Sequence, residues 1–111
     1  LVSEHGGGRI LRVTLADGRF TVLAEGLDGP EGVARAPDGS LVVAEVGAKR
    51  ILRIDPADGT RTVLAEDAPI GYPAPPGTPG AYVPTGVAAA GDGSVLFSSD
   101  MDAAIYRLVA D

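Results

Sequence analysis

Chemistry is first suggested at Ser3-Glu4-His5-Gly6-Gly7-Gly8-Arg9. A His-Gly-Gly-Gly run precedes the nucleophile of some lipases and esterases, where N–H groups free of side chains approach a developing oxyanion. That chemistry needs a Gly-x-Ser-x-Gly elbow, and no such pentapeptide occurs in the 111 residues; Ser40 and Ser94 lie in Asp-Gly-Ser turns instead. Other residues invite a functional reading. Asp100 and Asp102 sit two apart, a spacing that a loop can fold around a cation. His5 is the sole histidine, the one side chain that titrates near neutrality without perturbation. Tyr72 and Tyr82 lie in a stretch with six prolines between positions 69 and 84, stiff and extended enough to present aromatic rings to a pocket or a partner. Each also has a plain alternative: a solvated loop for His5, an ordinary acidic surface for the two aspartates, gap-filling for the tyrosines.

Composition limits the choices. One domain's worth of chain carries 45% hydrophobic and 22% charged residues, with 16 Gly and 9 Pro, so frequent turns are expected and long helices are not. Nine Lys plus Arg against fifteen Asp plus Glu give a net charge of -6 without a basic patch, which disfavours nucleic acid as a partner. With no cysteine there is no disulfide, thiolate metal site or thiol nucleophile, and redox chemistry leaves the compartment open. No apolar run is long enough to span a bilayer, so the chain reads as soluble, with an extracytoplasmic location compatible. A first residue of Leu1 suggests a processed product or an excised segment.

Self-comparison explains the glycines. Residues 9–25 match residues 50–66 at 12 of 17 positions with an offset of 41, and residues 30–45 match residues 84–99 at 8 of 16 with an offset of 54. The offsets differ by 13 because the connection 26–29 becomes the longer 67–83 in the next unit. In this register Glu4-His5-Gly6-Gly7-Gly8-Arg9 aligns with Glu45-Val46-Gly47-Ala48-Lys49-Arg50, so the glycine run is a loop of the repeat. Each unit reads as four short strands, at 32–36, 41–45, 50–54 and 61–65, with Asp-Gly turns at 17–18, 38–39, 58–59 and 92–93. Four antiparallel strands in about 41 residues is the pattern of a β-propeller blade.

The segments GPEGVARAPDGSLVVAEVGAKRILRIDPADG and VPTGVAAAGDGSVLFSSDMDAAIYRL resemble blades of the NHL-repeat and SMP-30/gluconolactonase/strictosidine-synthase-like propellers. The resemblance covers essentially the whole chain and implies an all-β propeller segment of about two and a half four-stranded blades, six-bladed when complete. Residues 1–25 form a partial blade, 26–66 a blade, 67–83 a Pro-rich inserted loop and 84–111 a partial blade, all within one unit. An open arc of this kind calls for further blades or identical chains as partners.

Strand alternation puts the four Asp-Gly turns on one face and the Pro-x-Gly leads, the loop 67–83, His5 and Asp100 to Asp102 on the other. Residues repeated in every blade, such as Arg12, Arg53 and Arg107, suit a structural ion pair or stem packing. Residues that differ at one blade position are better placed to form a site: Glu31 against Thr85, and His5, Val46 and Asp100 after the second strand. In the gluconolactonase-like propellers the Pro-x-Gly lead often carries an Asn or Asp that binds a divalent cation. The resemblance therefore implies Glu31 as a hard-oxygen ligand for Ca²⁺ or Mg²⁺, with Thr85 a weak one, neither being the usual residue. The expectation is a binding or structural module taking a small molecule or protein on that face, the alternative being part of a metal-dependent lactone or ester hydrolase.

Overall fold

The computed structural model describes residues 1–78 and 84–109, which form ten strands in three antiparallel sheets. The first sheet holds β1 (Val2–Glu4), β2 (Arg9–Val13) and β3 (Phe20–Ala24). The second, complete one holds β4 (Pro30–Arg35), β5 (Leu41–Glu45), β6 (Arg50–Ile54) and β7 (Arg61–Ala65) in sequential order. The third holds β8 (Val87–Ala89), β9 (Val95–Ser99) and β10 (Ala104–Leu108). Apart from one short 3-10 turn, Val46–Ala48, the described residues are strand and loop, and no helix among them is long and apolar enough to cross a membrane.

The alternating pattern of the sequence decides how the sheets stack. Leu41, Val43, Leu52 and Ile54 turn to one side of the middle sheet and meet Ile10, Ala24 and Leu27. Val42, Ala44 and Ile51 turn to the other and meet Val95 and Phe97 of the third sheet, with Ala68 and Ile70 closing the top. β5 is therefore buried at every residue, as its unbroken Leu-Val-Val-Ala predicts for a strand covered on both faces.

The four Asp-Gly dipeptides do close the hairpins, through connections longer than two residues. In each, the aspartate carboxylate accepts the N–H two residues on (Arg19, Ser40, Thr60 and Ser94) at 2.8–3.0 Å. The following glycine has a positive φ in all four.

The loops of the opposite face repeat as well. Gly8, Lys49 and Ala103 occupy equivalent positions, all left-handed with φ of 65°, 53° and 52°. The carbonyls of Gly8 and Lys49 accept the N–H of Leu27 and Ala68 in the same way. Of the three glycines after His5, Gly8 answers to a backbone requirement, since a Cβ there would lie 2.4 Å from the Leu27 carbonyl oxygen.

Candidate functional site

The innermost strands meet where Pro-x-Gly leads into β4 and β8. The register of β4 against β5 advances three residues from Pro30 to Val33 while its partner advances two, from Glu45 to Val43, so Glu31 and Gly32 sit in a bulge. Bulges re-aim side chains, and this one contains the residue that differs from its repeat partner. Gly32 allows the neighbouring blade to pass close by: a Cβ on it would lie 2.6 Å from the Thr85 carbonyl oxygen and 2.7 Å from the Val87 nitrogen. At the equivalent Gly86 the nearest atom would be Ser98 Oγ at 3.8 Å.

That close approach brings Glu31 and Thr85 together. The Thr85 N–H donates to Glu31 Oε2 at 2.6 Å, and the Glu31 side chain is only 7% exposed. Glu31 Oε1 and Thr85 Oγ1 are both buried and have no hydrogen-bond partner among the described residues. His5, from the first sheet's loop, brings Nδ1 to 3.9 Å from Glu31 Oε1. Its ring lies against Gly29, where a Cβ would come within 3.0 Å of His5 Cε1. His5 also lines a cleft of about 330 Å³ with Asp28, Leu27 and six glycines, including Gly6, Gly29 and Gly47. Three of the residues singled out by sequence, from three different sheets, thus converge.

The other candidates fasten loops. Asp100 Oδ2 accepts the Tyr72 N–H at 2.7 Å and so ties the inserted loop to the third sheet, while the buried Oδ1 has no hydrogen-bond partner among the described residues. The Tyr106 hydroxyl donates to Asp102, and that hydrogen bond, which favours the protonated phenol, raises it above its ordinary value. The Asp102 N–H in turn donates to Ser99 Oγ at 2.9 Å. The Tyr72 ring is exposed, and Val46 is buried in the core. Tyr82 lies outside the described residues.

Sequence reasoning missed a buried carboxylate on the same face. Glu45 ends β5 almost fully buried; Oε1 takes Arg50 Nε at 2.8 Å and Oε2 takes the Asp28 N–H at 3.0 Å. Glu4 and Arg9 repeat the pair at 2.7 Å in the first sheet. The shared Glu-x-x-x-x-Arg of the aligned repeats was the available signal. In the third sheet Ser99 takes this place and donates to the Pro69 carbonyl. Lys49 Nζ donates to the Ile70 carbonyl at 2.6 Å, so the start of the inserted loop is pinned from below.

The repeated arginines behave as expected where their turn is present. Arg53 pairs with Asp38 at 3.1 Å and contacts Ser40 Oγ, and Arg107 pairs with Asp92 and contacts Ser94 Oγ. The serine hydroxyls first, their N–H groups next and the guanidinium after them hold both carboxyls below the usual 3.8.

A divalent cation asks for six or more oxygens, several of them charged. Among the described residues no three Asp, Glu or His side chains converge. Glu31 and Thr85 offer one free carboxylate oxygen and one hydroxyl, which do not fit Ca²⁺ or Mg²⁺ without further donors.

No protein-family model and no curated protein matches the chain. Solved structures do. Over 94% of its length it is similar to virginiamycin B lyase from Staphylococcus aureus, with 24% identity and a TM-score of 0.57. Over 95% it is similar to the PQQ-bound aldose sugar dehydrogenase from Streptomyces coelicolor, with 26% identity and a TM-score of 0.59. The chain spans about a third of each, 32% and 30% of their lengths respectively. Both are β-propeller proteins, and with three stacked antiparallel sheets this chain is an all-β arc of β-propeller blades.

Proposed function

We propose that the chain is a binding or structural propeller module whose outer sheets take further blades, supplied in the same polypeptide or by another copy. One comparison carries the reading. Ile10, Ile51 and Ile105 hold the same blade position; the first two are 0% exposed beneath the next sheet, and Ile105 is 68% exposed. Around it Gly86, Val87, Leu96 and Phe97 line an apolar hollow of about 310 Å³. At the other end of the arc Val2 is exposed where its repeat partner Val43 is fully buried. Apolar surface of this kind is stabilised by removal from water, and the internal repeat makes a sheet of the same kind its natural cover.

The NHL and SMP-30-type assignment remains part of this proposal, resting on the blade motif. Hydrolysis of a lactone or ester through a divalent cation ranks behind binding, because Glu31 and Thr85 are too few donors for the cation. The fold does not choose between them, as one similar propeller is a lyase and another a dehydrogenase.

The test is solution mass by size exclusion with light scattering. The expected result is a discrete multimer of the chain that reverts to the monomer in Ile105→Asp. A stable monomer, unchanged in mass by that substitution, removes self-association as the role of this face.

A further inference from the structure

The middle sheet has four strands, whereas the third has three among the described residues, with β10 paired to β9 and no strand beyond it. Both sheets that possess an outermost strand hold it alike. β3 and β7 share Thr-Val-Leu-Ala, at 21–24 and 62–65. Val22 stands opposite Leu11 and Val63 opposite Leu52, each just past a register shift that leaves Leu23 or Leu64 in a bulge. The β10 residue at the position of Leu11 and Leu52 is Tyr106.

Tyr106 separates the want of a strand from the want of a further sheet. It lies on the side of the third sheet that the middle sheet covers: its ring stacks on its ladder partner Phe97, which is buried, and Leu108 packs against the same core. Yet Tyr106 is 37% exposed, against 8% for Leu11 and 1% for Leu52. A further sheet on the opposite side would leave it so. A strand alongside β10 would cover it.

We propose that the outer edge of β10 receives an antiparallel strand of the Thr-Val-Leu-Ala kind, donated in trans by a separate polypeptide. Its backbone continues the ladder through the N–H and C=O groups of Ala104–Leu108 that point away from β9, the template that any edge strand offers. The register follows that of β7 on β6, where Ala65 faces Ile51, Val63 faces Leu52 and Thr62 faces Arg53. The donated alanine therefore faces Ile105, the valine Tyr106 and the threonine Arg107, with the leucine in the bulge. Pairs of an aromatic with a β-branched side chain are among the favourable ones across strands. The inference concerns the edge of the sheet and stands whether or not a further sheet covers the face that carries Ile105.

The test is hydrogen exchange of the β10 amides in the full chain, followed by NMR, with a synthetic peptide of residues 57–66, Ala-Asp-Gly-Thr-Arg-Thr-Val-Leu-Ala-Glu, as the probe. The expected result is a saturable slowing of the outward-facing β10 amides by about tenfold or more. Val63→Pro in the peptide interrupts the ladder and should abolish the slowing, and a peptide without Leu64 loses the bulge residue and should bind more weakly. No slowing, or equal slowing with the proline peptide, would overturn the proposal. So would slowing that grows with the concentration of the chain alone, which would give the edge to a second copy. All three peptides act on the unsubstituted chain, so no outcome depends on whether a variant folds.

Discussion

The two faces of the arc use carboxylates in opposite ways. On the Asp-Gly face, Asp38 and Asp92 each hold a serine hydroxyl, a backbone N–H and an arginine, in solvent and in the same arrangement in two blades. On the other face Glu45 is buried and paired with Arg50, and Glu31 is buried with one oxygen that faces His5 at 3.9 Å and has no hydrogen bond among the described residues. Repetition with full pairing marks groups that shape every blade. A buried group that breaks the repeat answers to contacts made at one junction alone.

The difference can be broken most forcefully at Glu45. Glu45→Ala leaves Arg50 and the Asp28 N–H without their acceptor beneath the loops, and a loss of about 3 kcal/mol is expected in urea unfolding. Next in size is the glycine pair. Gly32→Ala drives a Cβ into the Thr85 carbonyl and should cost about 2 kcal/mol, while Gly86→Ala, with 3.8 Å of clearance, should stay within about 0.5 kcal/mol. A similar loss in both would mean that the innermost strands are not packed as described.

The exposed face should respond least to substitution. Arg53→Ala and Arg107→Ala are each expected to change stability by at most about 0.5 kcal/mol, because the pairs they break are solvated. Acid sharpens the same point. Asp38 and Asp92 have folded values below 3.8, so their contribution is fully present above that pH and is lost as pH falls through the folded values. The urea midpoint should fall on acidification below about pH 3.8, less steeply in the double variant Asp38→Asn, Asp92→Asn. An unchanged acid profile in that variant would show that the turn carboxylates do not carry it.

Much of the fold was legible because it is local and repeated. The strand predicted at 41–45 coincides with β5, and those at 50–54 and 61–65 coincide with β6 and β7, where apolar alternation and Asp-Gly punctuation agree. The innermost strand begins at Pro30 rather than at 32, since a bulge has no periodic signature. The site was half legible. Glu31, Thr85 and His5 stood out by departing from the repeat, but nothing in their spacing of 54 and 26 positions says that they meet.

By itself, then, the sequence determined the blade: a repeat at near-identity forces the same strands, turns and left-handed loop positions in each copy. The tertiary structure alone decided which repeated positions are covered and which polar atoms are left without partners. Ile51 and Ile105 hold the same blade position and have opposite exposure, because burial depends on whether another sheet lies above. Glu31 is a site candidate, and Asp100 a loop fastener, for the same reason: a carboxylate's role is set by the donors that long-range packing brings to it.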